Sequence, residues 1–573
     1  MARVDNRDEL AAALGIERPL LARMSDRKLV MRAFEQAGDA GLAKIVGAFA
    51  FAYWDEADRR LVLARDCLGS APLFYCVQQD FIAFATTLKS LLAFPGVPRE
   101  IDQIGLGHFL GDHLNAPGGT LYRGIERVPS RTRLSIDRSG LDQAKYWTPD
   151  LHARPYAREQ DYVERARELF DQAVLAAMRD TPRASLLLSG GLDSSAIAAT
   201  CARLGLAERL SCYTGVPPAE TTIDVGDGRY ANEHPKVEAL RRLHPALDVK
   251  YVVPPALHPV DLDATRYFAR YDLPARNVTN LGWFLGIEDA MAPDAQTHLV
   301  GVYGNFGLTW DGLFSLVELL KSFHLRKFSR EVGATARESG QSVMRTLKAE
   351  VGRRLMPDSL YRSHHRLRGR NPDDVTRFSL LNPEFAGDVG LAAQWRAQGY
   401  DPYHALRGTS GPQWRAFHLF DGNQLARDAR AQRYWSDGKQ IRVPHADRRL
   451  LEFCLSVPEP MYRQNGIPRS FARRVLADRL PAEILHERRR GVQSPLWFRT
   501  LNARRNDIAR EVERFEASAL ARCVLDLPRM RRLLAEWPCD ETAAQSRNRD
   551  YKFALARGVH VGQFICWLEG ANA

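Results

Sequence analysis

Residues Ser189-Gly190-Gly191-Leu192-Asp193-Ser194-Ser195 form the most chemically specific pattern in the chain. The apolar run 184–188 precedes them and Ala196-Ile197-Ala198-Ala199 follows, so a strand is expected to pass through a glycine turn into a helix. Adjacent glycines let the backbone turn tightly and bring its N–H groups close to phosphate oxygens, and the start of a helix adds unpaired donors and a partial positive charge. Such a turn is a cradle for pyrophosphate. Ser189, Gly190, Gly191, Ser194 and Ser195 are its candidate phosphate-binding residues, and Asp193 is placed to hold Mg²⁺ against the oxygens. The pattern lacks the Lys-Ser/Thr pair of the P-loop and the G-x-G-x-x-G spacing of dinucleotide turns. A Ser/Gly turn that merely caps a helix is the plainer alternative, and the agreement of strand, loop and helix favours the cradle.

The elements that would position this turn lie on both sides of it. Short buried strands are expected at 184–188, 210–215, 249–253 and 298–303, alternating with helices at 162–177, 195–204, 232–243 and 281–290. Strand and helix repeated at this spacing mean parallel strands with right-handed crossovers, and ligands gather at the carboxyl ends of such strands. From 315 onward the pattern is mostly helical. Earlier in the chain, apolar segments 49–54, 60–64, 72–75 and 81–84 separated by polar turns read as hairpins. Residues 26–37 have helical spacing, with Ser25 as cap and Gly38 as stop. By propensity alone this part is an antiparallel sheet domain.

With 573 residues the chain exceeds a single core, and roughly two to four domains are expected. Hydrophobic residues at 45% and charged ones at 26% are ordinary for a globular protein. No apolar run approaches the roughly 18 to 20 residues of a membrane span, and the opening residues lack the apolar core of a secretory signal. The 8 cysteines show no C-x-x-C pair, which reads as reduced thiols in a cytoplasmic protein. A net charge of +11 asks for an acidic partner. Much of it is concentrated at 321–370, in Arg326, Lys327, Arg330, Arg345, Lys348, Arg353, Arg354, Arg362, Arg366 and Arg368. These read as solvated helix faces or as a surface for an acidic peptide or phosphate-bearing ligand; nucleic acid is not expected, because aromatics are not interleaved with the charges.

The turn at 189–195 resembles the SGGLDSS loop of the ATP-pyrophosphatases, above all the asparagine synthetase family. Val46-Gly47-Ala48-Phe49-Ala50-Phe51-Ala52-Tyr53-Trp54-Asp55, with Ala64-Arg65-Asp66, Gly69 and Pro72-Leu73-Phe74-Tyr75, looks like that family's class II glutamine amidotransferase domain. The resemblance implies an α/β chain: a truncated, degenerate amidotransferase-like antiparallel sheet domain over 1–150, then a parallel-sheet synthetase domain of the adenine-nucleotide α-hydrolase-like type over 158–573, helical in its C-terminal part. It implies ATP and Mg²⁺ as cofactors, Leu188 lining the base pocket, and Thr214 and Gly215 contacting adenine or ribose. Tyr230-Ala231-Asn232-Glu233 resembles a segment in which an acid opens a helix near the nucleotide, and Glu233 reads equally as a plain helix-start acid. Asp272 reads as either a substrate contact or a cap.

Departures from the family pattern carry as much as the matches. The family's glutaminase depends on a cysteine at position 2, whose α-amino group serves as its base; here position 2 is Ala. Glutamine hydrolysis is therefore not expected: either the true start lies upstream or the domain survives as a structural platform. The family's second glycine loop, S-G-x-G-x-D-E, is represented by Gly301-Val302-Tyr303-Gly304-Asn305-Phe306-Gly307. Tyr303 stands at the motif's second glycine and Asn305 at its first acid. Gly304 is expected near the nucleotide, Asn305 is expected to join Asp193 as a metal ligand, and Asp311 to supply charge from farther along. This variant looks like the asparagine-synthetase-like cyclases that accompany lasso peptides. Residues 438–447 align with E-x-R-x-P-F-x-D through Arg442, Pro444 and Asp447, with an Arg442–Asp447 ion pair as the structural alternative. In place of the family's essential lysine stands Arg488-Arg489-Arg490. Arg489 and Arg490 are expected to neutralise departing pyrophosphate, since a guanidinium does not shuttle a proton.

The implied reaction is an ATP-dependent, AMP-forming condensation of a carboxylate with an amine. The leading expectation is a lasso peptide macrocyclase acting on a peptide, or a small amino-acid-like substrate in its β-lactam-forming variant, with a leader peptidase of the same pathway as a partner. Asparagine synthesis and a non-catalytic nucleotide-binding scaffold are the alternatives.

Overall fold

Alternating side chains build the N-terminal sheets. The computed structural model describes all residues except 114–118, 153–155, 220, 222, 224, 227, 256–263, 292–294, 409, 423 and 573. Its first eight strands are β1 (Ala2–Val4), β2 (Gly47–Asp55), β3 (Arg60–Arg65), β4 (Phe74–Val77), β5 (Ile82–Ala85), β6 (Ile125–Arg127), β7 (Thr132–Asp137) and β8 (Gly140–Lys145). They make one sheet of order β1-β2-β3-β7-β8 and a second of order β5-β4-β6, antiparallel throughout. Period-two alternation serves both faces of the first sheet. Phe49, Phe51, Val62 and Ala64 pack on Leu29, Val30 and Leu42 of the helical layer, whereas Ala50, Leu61, Leu63 and Leu134 meet Leu73 and Tyr75 on the side of the second sheet. The helix Asp26–Lys44 begins at the expected cap, Ser25 accepting from Lys28 N, but Gly38 only kinks it (φ 51°) and helix resumes to Lys44.

The remaining chain forms a parallel sheet from β9 (Ala184–Leu187), β10 (Leu210–Gly215), β12 (Asp248–Val252), β13 (Thr297–Leu299) and β14 (Gln440–Arg442). Its order is β12-β10-β9-β13-β14, with every pairing parallel. The helices Leu192–Arg203, His234–Leu243 and Val278–Glu288 fall within a few residues of the expected positions. Two details differ from expectation. The strand placed at 298–303 ends at Leu299, because Gly301 and the 3₁₀ turn Gly304–Phe306 fold back over the Ser189 turn. The fifth strand β14 lies inside the stretch read as helical, too short to leave a periodic signal. The order reverses between β9 and β13, and it is at this switch point that open α/β sheets form their ligand crevice.

The two parts are joined by buried charge. Asp428, on the helix Gln424–Ser436, pairs with Arg65 and, at 3.6 Å, with Arg127, and all three side chains are 1% exposed. Asp272 belongs to this seam: it accepts from Arg99 Nη2 (3.0 Å), and its carbonyl accepts from Tyr122 OH (3.1 Å); it caps no helix, the cap of the following helix being Asn277. The basic stretch forms the helices Leu325–Ser339, Val343–Leu347 and Asp358–Leu367, with Arg326, Lys327, Arg345 and Arg366 exposed. Among the described residues no helix is long and apolar enough to cross a membrane.

Candidate active site

The turn after β9 is folded on itself by its own serines. Ser194 Oγ accepts from Ser189 N (2.9 Å) and donates to the Ser189 carbonyl (3.0 Å), and Ser195 Oγ donates to the same carbonyl (3.0 Å). Gly191 is the N-cap of the helix Leu192–Arg203, and among the described residues no side chain caps that helix's first N–H groups.

The second glycine segment closes over this turn. A Cβ on Gly301 would lie 2.7 Å from Ser194 N; one on Gly304 would overlap Asp193 Oδ1 and lie 2.7 Å from its Cγ. Asp193 thus rests its carboxylate on the bare Cα of Gly304. There Thr309 Oγ1 donates to Oδ1 (2.5 Å), and His445 Nε2 lies 3.0 Å from the Asp193 carbonyl. Tyr303, standing where the motif has a glycine, adopts φ 71°, the left-handed region that glycine favours. Its hydroxyl accepts from Arg430 Nη2 (3.3 Å). Behind it lies a cavity of ≈ 50 Å³ lined by Cys67, Gly69 and Ser70 of the first domain and Arg427 and Arg430 of the second.

Cations and carboxylates gather on the other side of the turn. A Cβ on Gly190 would lie 2.9 Å from Lys236 Cβ and Cδ, so the lysine stem runs along the loop. Lys236 Nζ pairs with Glu487 Oε2 (2.8 Å) and stands 3.1 Å from the centre of the Tyr230 ring. Glu487 also takes a two-point contact from Arg489 (3.1 and 2.9 Å). That contact first, then Lys236, holds its carboxyl well below the usual range. Glu233 makes no side-chain cap on the helix it precedes, and burial pushes its carboxyl up to about 7, with the Gly190 backbone N–H and then Lys236 pulling it back. The two-residue strand Arg490–Gly491 pairs in parallel with β11 (Arg229–Tyr230), which brings the arginine segment to this cluster. Arg488 pairs with Glu338 and Arg489 with Glu487, whereas Arg490 makes no ion pair among the described residues.

The other expected residues take varied places. Asn305 is exposed and its Oδ1 accepts from Arg469 Nη2 (3.1 Å). Asp311 Oδ1 is buried without a hydrogen-bond partner; burial raises its carboxyl, and Arg463, Arg469 and Arg490 draw it back down. Leu188 is buried at the end of β9, and the Thr214 hydroxyl is buried without a partner. The space a Cβ would need at Gly215 is taken by Trp283, whose ring lies 2.7 Å from that position. Arg442 does not pair with Asp447. It donates to the Ala177 and Arg179 carbonyls (2.8 and 2.7 Å), and Asp447 instead binds Arg449 (2.8 Å) and caps the helix Arg448–Ser456.

Among the described residues no three His, Cys, Asp or Glu converge as a metal cage. Mg²⁺ carried by nucleotide phosphates needs only one or two protein carboxylates, and Asp193, fixed between the two glycine segments, fits that requirement. Sequence reasoning missed Lys236, Thr309, Trp283, Glu487 and the His445 contact. His445 lies within the segment 438–447, at the aromatic position of E-x-R-x-P-F-x-D. In the first domain Cys67 and Cys76 are buried, and burial pushes the Cys67 thiol up to about 11, so it is not an activated nucleophile.

Comparison with known proteins agrees with this architecture. Residues 3–147 match the glutamine amidotransferase domain, and residues 165–237 and 308–562 match asparagine synthase. Over 515 residues the chain is 28% identical to glutamine-hydrolyzing asparagine synthetase 2 of Bacillus subtilis (strain 168), covering 84% of this chain and 60% of that protein. It is 30% identical over 198 residues to asparagine synthetase 3 of the same organism (34% of this chain, 32% of that protein). It is 29% identical over 184 residues to amidase chry2 of Gibberella zeae (31% and 27%). The chain thus spans less than two thirds of the length of the relatives it matches. The asparagine synthase match leaves out 238–307, the stretch that carries Tyr303, Gly304 and Asn305. With that match extending over more than half of its length, the chain belongs to the asparagine synthase family.

Proposed function

We propose that the chain is an ATP-dependent, AMP-forming carbon–nitrogen ligase, and that it joins the N-terminal amine of a peptide to an internal Asp or Glu side chain. The interlock of Asp193 with Gly304 at the switch point of a parallel sheet is the observation that carries the ligase reading. In the first step a substrate carboxylate oxygen attacks the α-phosphorus of ATP. The O–P bond forms, and the bond to the bridging oxygen breaks with its electron pair leaving on diphosphate. The N–H groups of the turn and of the first turn of Leu192–Arg203 face that charge. Asp193 would hold Mg²⁺, which supplies charge neutralisation when bound. In the second step the amine attacks the acyl carbon, the C–N bond forms, AMP departs and the amine gives up a proton. Arginines cannot accept it, and the carboxyl of Glu233, near 7, has a proton affinity suited to that task.

The peptide reading is supported by the Asn305 loop, the arginines at 488–490 and the exposed cations between 321 and 370, which fit an acidic peptide. Incubating the purified chain with ATP and a precursor peptide freed of its leader by a pathway peptidase tests it. The expected result is AMP, diphosphate and a product lighter by one water; failure to dehydrate the precursor encoded beside its gene overturns it. Aspartate amidation from ammonia is the second reading, favoured by the alignment of 84% of the chain with an asparagine synthetase. Aspartate-dependent AMP release selects it. ATP binding with no diphosphate release for any acid would leave a nucleotide-binding scaffold.

A further inference from the structure

We propose that Lys236 is the cation that receives the departing diphosphate, moving to it from Glu487. This rests on the ligase reading and adds a residue that no motif marks. Three observations carry it. The lysine stem lies against Gly190, in the middle of the turn, with Cδ 2.9 Å from where a Cβ would stand. The ammonium, two bonds farther along, is held on Glu487 within one side-chain rotation of the turn. The side chain is only 8% exposed, enclosed between Glu487 and the face of Tyr230. A buried ion pair is weak support for stability, so a buried lysine lying along an anion-binding turn points to use.

The third observation concerns Glu487, which is shared. Arg489 holds it through both oxygens, at 3.1 and 2.9 Å. When Lys236 leaves, Glu487 keeps a bidentate guanidinium partner, and no carboxylate is stranded. Lys236 thus has a flexible stem, a neighbouring anion site and a partner that does not need it. In the adenylation step the bond between the α-phosphorus and the bridging oxygen breaks, and its electron pair remains on diphosphate. The ammonium offsets that charge and transfers no proton. Arg489, bound to Glu487, stays behind as the partner that makes the motion possible, and Arg490, which makes no ion pair among the described residues, adds a second charge.

The test is calorimetric binding of inorganic diphosphate in magnesium buffer to the full chain and to Lys236→Met, Lys236→Arg and Glu487→Gln, with acid-dependent AMP formation measured alongside. Lys236→Met is expected to weaken diphosphate roughly tenfold or more and to lower kcat about a hundredfold, with KM for ATP little changed. Lys236→Arg should recover part of both, and Glu487→Gln should bind diphosphate at least as tightly as the parent. Thermal unfolding identifies variants that fail to fold, and for those the Lys236→Arg and Glu487→Gln results decide. Diphosphate affinity and kcat of Lys236→Met within threefold of the parent overturn the role of Lys236 while leaving the ligase reading intact. No diphosphate binding by the parent overturns the ligase reading itself.

Discussion

Replacing Gly304 by alanine isolates the interlock at the centre of the site. The backbone there has no left-handed φ, so alanine is conformationally acceptable and the only cost is its methyl group. That carbon would overlap Asp193 Oδ1 and stand 2.7 Å from Cγ and 2.9 Å from Thr309 Oγ1. The carboxylate must turn away, losing the 2.5 Å hydrogen bond from Thr309. A hydrogen bond to a charged group is worth about 1.5–3 kcal/mol, which converts to roughly a ten- to hundredfold loss if the seated carboxylate is the one that holds Mg²⁺-diphosphate. The assay is a double-mutant cycle in diphosphate binding among the parent, Gly304→Ala, Asp193→Ala and the double variant. Once the carboxylate is gone the added methyl meets nothing charged, so the two changes should be strongly non-additive. Additive effects, or a Gly304→Ala variant that binds diphosphate as the parent does, would refute the interlock as the source of binding.

Three further outcomes are expected. Tyr303→Gly should be about 1–2 kcal/mol more stable than Tyr303→Ala in urea unfolding, because only glycine relieves the left-handed backbone at φ 71°; equal stabilities would contradict it. The Glu233 carboxyl is raised to about 7 by burial, so its contribution to stability is full below its unfolded value and is lost as pH rises through 7. Melting temperatures of the parent should fall relative to Glu233→Gln between about pH 4.5 and pH 7.5, and parallel curves would contradict it. Asp428→Ala leaves Arg65 and Arg127, each 1% exposed, without their carboxylate, and should cost about 3–5 kcal/mol in denaturant unfolding; a loss under about 1 kcal/mol would show that the seam does not depend on that pair.

Much of this architecture was legible in the residues because it is written locally. The turn at 189–195 combines a buried strand, two glycines and a helix start within a dozen positions, and each signal agrees with the next. The hairpins of the first domain follow from alternation between polar turns. What escaped is long-range. Lys236 and Glu487 meet across some 250 positions of sequence, and neither residue type announces a partner. β14 has 3 residues and is a strand only because β13 offers it an edge. Arg442 and Asp447 stood in a recognisable segment, yet tertiary neighbours took both: carbonyls at the C-terminal end of the helix Glu159–Met178 claimed the arginine, and the start of Arg448–Ser456 claimed the acid. Tyr303 shows the same limit in reverse, since a residue that disfavours left-handed backbone sits in it because the surrounding segment is fixed at both ends.

Because Asp193 is seated by residues as far away as Thr309, 116 positions along the chain, the N-terminal fragment of the synthetase domain lacks the contacts that fix its carboxylate. A polypeptide still emerging from the ribosome would carry the serine-glycine turn for a hundred residues before the glycine segment and Thr309 that complete it have docked. Competence therefore arrives late and all at once, and a nucleotide added to the finished protein should raise the temperature of its cooperative melting rather than merely quiet one loop.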